Sequence, residues 1–469
     1  LYLERVRAQP TPEIEFDGTW LPLDERLEEI SVRGQKGPHS LHVYTSFHGP
    51  LLTETVPPSG RAVALRWAGR DRPTGYVVAL LAVNRATNWI EFREALADWA
   101  TPAQTFVYAD QAGNVGRVVA GLAPMRRYGD GAFPVPGWLA SYGWDGFQSS
   151  DALPAILNAE DDVVVLSEGA GAVQEAPAED GEWRRRRALA LIREAGQVSS
   201  QHVMALAVDV QGPDQPLLAG LLELVPPDWR RQRTMPELRS WDGSYDGESC
   251  GAGVFEAYTW RLAHNTLDDD LGAPLVDAYL DQCHNWRAFL EEVYTSGRGD
   301  WVDDQRTPSR ETTTEMQARS LDEAVHWLGR RFGDLPYEWN WGRVHSITFR
   351  HALGTAWPVN LVLNRGAMRL AGASTTLNAT RADYQSSLRV GAIPGYRLVA
   401  DLGDNDLTWG CNSTGQSGHP LSAHYADQIE AWRQGRFHVL PTRGGRAGAV
   451  GQEGVLVLIP ADGVRAPEE

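Results

Sequence analysis

Phe106-Val-Tyr-Ala-Asp110-Gln-Ala-Gly113-Asn114-Val-Gly116 is the stretch that decides the fold. An aromatic and β-branched run, Thr105 to Tyr108, leads into a turn rich in Gly and Asn. A second apolar run, Val115 to Ala120, leads out. Strand formers on both sides of such a turn specify a β-hairpin. Outward from it, residues 1–150 read as short alternating strands broken by Gly/Pro turns: Glu29 to Val32, Leu41 to Thr45 and Ala62 to Trp67. A helix fits Ile90 to Trp99, with Phe92, Ala95, Leu96 and Trp99 on one face. Val163 to Leu166 reads as one more strand, followed by a Gly/Ala-rich acidic loop.

Residues 182–330 are expected to be mainly helical. Arg187-Ala-Leu-Ala-Leu-Ile192 starts one helix. Gly253 to Leu262 and Asp277 to Val293 continue the pattern. Glu315 to Phe332 carries apolar residues at Ala318, Leu321, Ala324, Val325 and Leu328. Thr307 to Thr314 reads as a polar linker, and the remainder returns to strands and turns. The expected organisation is therefore an α+β chain: a first β-rich part (1–181), a mainly helical insertion (182–335) and a second β-rich part (336–469).

Composition narrows the function. The chain has 469 residues, 42% of them hydrophobic and 9% aromatic, enough to bury a large core. Eighteen tryptophans imply that many sit in the core or line a pocket. A net charge of −18 argues against nucleic acid, whose binders carry basic stripes, and against adhesion to anionic membranes. Cys250, Cys283 and Cys411 are too few and too scattered for a disulfide framework, and none has metal-site spacing. No apolar run approaches the ~18 residues of a membrane span. The compartment stays open.

Other strings extend the hairpin into a pattern. Downstream of it lie Gly121-Leu-Ala-Pro124, Pro134-Val-Pro-Gly137 and Trp144-Asp-Gly-Phe147; upstream lie Thr45-Ser-Phe-His-Gly-Pro50, Ala64-Leu-Arg-Trp67 and Asn84-Arg-Ala-Thr-Asn-Trp89. Further on come Trp339-Asn-Trp-Gly-Arg-Val-His345, Gly372-Ala-Ser-Thr-Thr-Leu-Asn378 and Gln416-Ser-Gly-His-Pro420 with His424-Tyr-Ala-Asp-Gln428. In this order they resemble the penicillin acylase family of N-terminal-nucleophile (Ntn) hydrolases over nearly the whole chain. The resemblance implies the αββα four-layer sandwich with a helical insertion. It also implies hydrolysis of a linear amide, freeing an acyl group from a small amine such as a β-lactam or an acyl-homoserine lactone.

In that family the precursor cleaves itself, and a new N-terminal Ser supplies both nucleophile and base. Only a terminal amine, with an ordinary pKa of ~7.7–8.0, can deprotonate its own side chain near neutral pH. Leu1-Tyr-Leu-Glu-Arg-Val6 resembles sequence inside the catalytic chain, shortly after an acidic metal-binding turn. The resemblance therefore places the nucleophile, the first strands and the family's small N-terminal subunit upstream. A catalytically inactive family remnant, serving as a binding or scaffold protein or being the product of a degenerate gene, is the alternative reading.

The resemblance also implies site residues. The oxyanion donor is the first Asn of an Asn-Asn pair, which falls here on Glu168-Gly169, and no Asn lies between Asn158 and Gly181 to replace it. A carboxylate accepts hydrogen bonds and repels an oxyanion, so loss of the donor is expected. An Arg near the nucleophile corresponds to Arg187, with Arg184, Arg185 and Arg186 crowding the same turn. Calcium in the family uses upstream acids, a carbonyl near Gly131 and an Asp matching Asp180; two remnants cannot supply the six to eight oxygens calcium takes. His345 and His351 read as structural, Glu160-Asp161-Asp162 and Asp268-Asp269-Asp270 as loop acids, and His48-Gly49-Pro50 as a turn. Ser417 lacks the G-x-S-x-G surroundings of a nucleophile elbow.

Overall fold

In β1 (Tyr2–Arg7) every second residue is buried: Tyr2, Glu4 and Val6. That is the period of a strand with one covered face. The computed structural model describes residues 1–8, 11–53, 59–71, 75–159, 163–166, 179–213, 215–224, 234–283, 285–296, 299–385, 387–404 and 407–441. They fall into two compact units, Leu1–Ala176 and Pro177–Glu469.

In the first unit, β2 (Glu13–Phe16) and β3 (Thr19–Pro22) form a hairpin on one edge of β1. Asp17 and Gly18 make its two-residue turn at φ 47° and 79°, the left-handed pair such a tight turn requires. β4 (Asp24–Ile30) and β5 (His39–Thr45) make a separate antiparallel ribbon. β6 (Ser59–Ala64) runs along the other edge of β1, from Tyr2 opposite Ala64 to Arg7 opposite Ser59. The strand expected over Ala62 to Trp67 thus ends at Ala64.

Helices α1 (Ala68–Asp71), α2 (Tyr76–Val83) and α3 (Trp89–Leu96) follow. α3 is fixed at its start by a reciprocal cap: Asn88 Oδ1 accepts from the Glu91 N–H at 3.0 Å, and Glu91 Oε2 accepts from the Thr87 N–H at 2.8 Å. It stops three residues short of the expected Trp99, where the chain turns and the indole donates to the Pro102 carbonyl. Phe92, Leu96 and Trp99 are nonetheless buried together against Tyr108 and Val118.

The expected hairpin is β7 (Gln104–Ala109) with β8 (Val115–Ala120), in the register Phe106 opposite Val118 and Tyr108 opposite Gly116. Its turn is tied by one carboxylate. Asp110 accepts from the Asn114 backbone N–H (3.0 Å), the Asn114 amide (2.8 Å) and the Tyr108 hydroxyl (2.8 Å). The Asn114 bonds hold the Asp110 carboxyl below its usual range, because they favour the charged form. β9 (Pro124–Arg126) pairs with β11 (Trp144–Phe147), β10 (Val135–Pro136) runs parallel to β1, and β12 (Ala155–Leu157) adds to β8. Residues 163–166 form no strand. Among the described residues this β-branched run has no paired neighbour, and so it makes no ladder.

The second unit begins with α4 (Glu179–Ala195), α5 (Ser200–Leu206), α6 (Gln215–Leu224) and α7 (Met235–Ser240). α8 (Cys250–Leu271) is its axis, buried nearly all round from Gly251 to Leu267. Asp268, Asp269 and Asp270, expected in a loop, are the last turn of this helix. The single helical run expected over Asp277 to Val293 is two helices, α9 (Ala273–Gln282) and α10 (Trp286–Ser296).

α11 (Thr313–Phe332) packs along α8, capped by Thr312 and Glu315. Its buried residues Met316, Ala318, Leu321, Ala324 and Leu328 repeat at helical spacing. After α12 (Trp341–Val344) the chain returns to strands: β13 (Ser346–Phe349), then α13 (Val359–Leu363), β14 (Arg365–Arg369), β15 (Arg381–Ala382), β16 (Val390–Ala392), β17 (Tyr396–Ala400), β18 (Thr408–Asn412), α14 (Ile429–Arg433) and β19 (His438–Val439). Gly253 lets α8 touch the Trp339–Trp341 segment; a Cβ there would lie 2.1 Å from the Trp339 carbonyl oxygen. Among the described residues no helix is long and apolar enough to cross a membrane.

Candidate functional site

The four arginines at the start of α4 separate into two pairs. Arg185 and Arg186 turn back onto Glu182, at 2.7 and 2.8 Å. The Arg185 bonds, with those of Arg186, pull the Glu182 carboxyl down to about 2. Arg184 and Arg187 reach other segments. Arg184 donates to the Ser374 carbonyl. Arg187 forks onto Asp209, Nε to Oδ1 at 3.1 Å and Nη2 to Oδ2 at 2.8 Å, the two-point geometry that suits a guanidinium and a carboxylate. Hydrogen bonding to Asp209 raises the Arg187 pKa further.

Asp209 continues the chain of contacts. Its carbonyl accepts the Asn378 N–H at 2.9 Å. Asn378 Oδ1 accepts from Arg397 Nη2 at 2.7 Å, and Arg397 donates on to the Trp432 carbonyl while lying 4.5 Å over the Trp432 ring. Burial lowers Arg397 to about 10. The loop that receives these contacts, 370–380, is held from both sides. The Gly372 N–H donates to the Tyr245 carbonyl (2.9 Å), and the Gly372 carbonyl accepts the Trp341 indole N–H (2.8 Å). Thr376 Oγ1 accepts from the Ala373 N–H at 2.9 Å. The buried His345 ring stacks on Trp341 at 4.2 Å and spans Leu388 O and Thr380 Oγ1, both at 3.0 Å. That satisfies it as the structural histidine expected.

The expected residues are thus brought together only in part. Arg187 is ordered against Asp209, a partner 22 residues away that sequence reading missed. Glu168 lies outside the described residues, and so does the Asp180 side chain, whose backbone is in the first turn of α4. Gly131 sits before β10 at φ +91°, and a Cβ built on it would lie 3.1 Å from the Arg126 guanidinium. The parallel pairing of β10 with β1 sets Val135 opposite Tyr2. A guanidinium beside Gly131 opposes a divalent cation, and among the described residues no three His, Cys, Asp or Glu side chains could hold a metal. The described residues alone do not fit calcium.

His48-Gly49-Pro50 is the expected turn, closed by mutual Ser46–Gly49 backbone bonds at 2.9 and 3.0 Å. It also covers a buried acid that the sequence did not advertise. Glu4 Oε1 accepts from His48 Nδ1 at 2.8 Å and Ser46 Oγ at 3.3 Å, and the His48 ring stacks on Tyr2 at 3.8 Å. The set contains Ser, His and Glu, but the serine bonds the acid and not the imidazole. It therefore lacks the proton path of a nucleophile–base pair.

The chain shares its fold with a thermostable penicillin G acylase from Alcaligenes faecalis, on which it superposes with TM-score 0.66 at 19% identity, over 98% of this chain and 86% of that one. The penicillin amidase family model matches residues 1–446, and the chain belongs to that family. Relatives include the acyl-homoserine lactone acylase QuiP of Pseudomonas putida, 29% identical over 98% of this chain and 59% of that protein. The penicillin acylase 2 proenzyme of Pseudomonas sp. (strain SE83) is 25% identical over 92% of this chain and 56% of its own length. The chain spans about three fifths of the curated relatives it matches.

Proposed function

We propose that the protein carrying this chain hydrolyses a linear amide and releases an acyl group from a small amine, with acyl-homoserine lactones the first substrate class to test and β-lactams the second. The observation that carries this reading is the family match, which runs unbroken over residues 1–446. The order of substrates follows the higher identity to the acyl-homoserine lactone acylase than to the penicillin acylase 2 proenzyme.

In this reading the N-terminal Ser and the small subunit come from sequence upstream of Leu1, and so do the acids of any calcium site. The αββα layering, with 182–335 as a helical insertion, is the finer fold the family implies. Arg187, locked by Asp209, contributes a fixed positive charge. The test is turnover of acyl-homoserine lactones and chromogenic acyl-anilides by the full-length protein, following the freed amine. Release no faster than in buffer, with every acyl chain tried, would sink the proposal.

Glu168 gives a sharper test. If it stands at the oxyanion donor position, Glu168→Asn exchanges a repelling carboxylate for an amide N–H. The full-length protein should then gain rate by ~10²-fold, the usual worth of one such donor. Unchanged kcat would place Glu168 away from the reacting carbonyl. A fall would mean that its carboxylate itself serves substrate binding or catalysis.

A further inference from the structure

On the helical face formed by α8 and α11 lies an open cleft of about 620 Å³, a size that suits a small molecule. Three arginines line it: Arg261 from α8, and Arg330 and Arg331 from the last turn of α11. None of the three makes an ion pair or a hydrogen bond among the described residues, in a protein whose net charge is −18. With acids in such excess, three guanidinium groups on one cleft, none in ion-pair contact with a described carboxylate, need a reason, although Glu323 and Asp268 lie near enough to Arg261 to favour its charge. The helix dipole favours cations at the end of α11, by ~0.3–1 kcal/mol each. It does not account for Arg261, which sits ten residues before the end of α8.

Arg261 is the more telling of the three. Its Nε is buried with no hydrogen-bond partner, and its guanidinium lies 4.2 Å over the Trp260 ring. Burial pulls its pKa below the usual arginine value. A desolvated, unsatisfied donor is costly, and an incoming anion relieves that cost. The floor of the cleft is aromatic. Trp327 is half-buried in its wall, packed edge-on against Trp260 at 5.4 Å and Phe332 at 5.9 Å, with Arg331 5.9 Å from its ring centre.

Two carboxylates share the lining, Asp322 and Glu323. Glu323 is held by Arg319 at 3.2 Å and by the Asn265 amide at 3.1 Å. Among the arginines and carboxylates of the lining, three positive charges against two negative ones leave a single positive charge. That balance matches a monoanion. Phosphate dianions and polyanions meet the two acids at short range, and polyanions also meet the overall charge at long range.

We propose that this cleft binds a small organic monocarboxylate with a flat apolar body, its carboxylate taken by Arg261 and the arginine pair of α11 and its body laid on Trp327. Carboxylate recognition by a guanidinium fork and stacking on an indole are the chemistries that these residues offer. The site is formed by the second unit alone and does not depend on the amidohydrolase reading.

The probe is 2-naphthoate, titrated calorimetrically into the purified protein at pH 7, beside its neutral isostere 2-naphthamide. Saturable binding of the acid, with the amide at least ~10-fold weaker, is expected, since losing one charge-assisted pair is worth about a decade in affinity. Arg261→Gln should weaken the acid ~10-fold or more. Arg330→Gln and Arg331→Gln, both at exposed positions, should each weaken it severalfold without changing the melting temperature, which keeps the test alive if Arg261→Gln folds badly. No binding of the acid, equal binding of acid and amide, or full affinity in both Arg330→Gln and Arg331→Gln would overturn the proposal.

Discussion

His345 sits with no exposed surface between Trp341, Leu388 and Thr380, and burial lowers its pKa from the usual 6.5 to about 4. The unfolded chain takes up that proton near 6.5, and the folded one resists it until about 4. Between those values the unfolded state binds more protons, so stability is full above pH 6.5 and falls as the pH drops toward 4. The loss through this one group amounts to about 3 kcal/mol at the acid end. Melting temperatures measured from pH 7.5 to 4 should show the decline, and His345→Gln should flatten it. An identical slope in the variant would assign acid lability elsewhere. The same residue marks what was legible. His345 could be read as structural because its spacing to His351 suits no metal site, although the partners that satisfy it, Thr380 and Leu388, lie 35 and 43 residues away. The Glu4–His48 and Arg187–Asp209 pairs could not, because their members lie 44 and 22 residues apart and only the fold introduces them.

Among elements, α8 and α10 are joined by a buried ion pair. Arg287 Nη2 reaches Glu256 Oε1 at 2.6 Å and Oε2 at 2.7 Å, and it donates to the Tyr384 hydroxyl at 3.1 Å. Glu256→Leu alone should cost ~3–5 kcal/mol, since it strands a buried guanidinium. The double change Glu256→Leu with Arg287→Met should recover most of it. Chemical denaturation of the three variants would reveal this non-additivity, and a double variant as weak as the sum of the singles would refute it. Legibility at this scale follows the range of the cause. The β7–β8 hairpin and the capped α11 carry their instructions in neighbouring residues. The division of this run into α9 and α10 was hidden, because the apolar pattern continues from one into the other. The acids at Asp268–Asp270 read as a loop, because the length of α8 is set by what it packs against. Gly253 is a further case. Alanine there gains ~1 kcal/mol of helix propensity, yet its Cβ would sit 2.1 Å from a backbone oxygen. Gly253→Ala should therefore lower stability, by several kcal/mol, and a raised melting temperature would contradict the close approach.

For the whole molecule the dominant number is the charge of −18, from 61 acidic and 43 basic side chains. Self-repulsion of that size opposes the compact state and is screened by salt. Raising KCl from low millimolar to ~0.15 M, where the screening length shrinks to ~8 Å, should raise the melting temperature by a few degrees at pH 7. A fall with salt would mean that attractive pairs outweigh repulsion. Composition announced this property, and motif order announced the family. Neither reported how the chain divides into Leu1–Ala176 and Pro177–Glu469, because such a division depends on contacts that composition does not contain.

The crossing of α8 beneath Trp339 also constrains how this lineage can change. Every single-base change of a glycine codon that alters the residue brings a side chain with a Cβ: alanine, serine, cysteine, valine, aspartate, glutamate, arginine or tryptophan. At Gly253 each would strike the Trp339 carbonyl, and at Gly251 each would strike Trp241, 2.5 Å from the new atom. Two codons along the axis of the helical core are thus walled in by the genetic code itself, and neutral drift in this helix has to proceed around them.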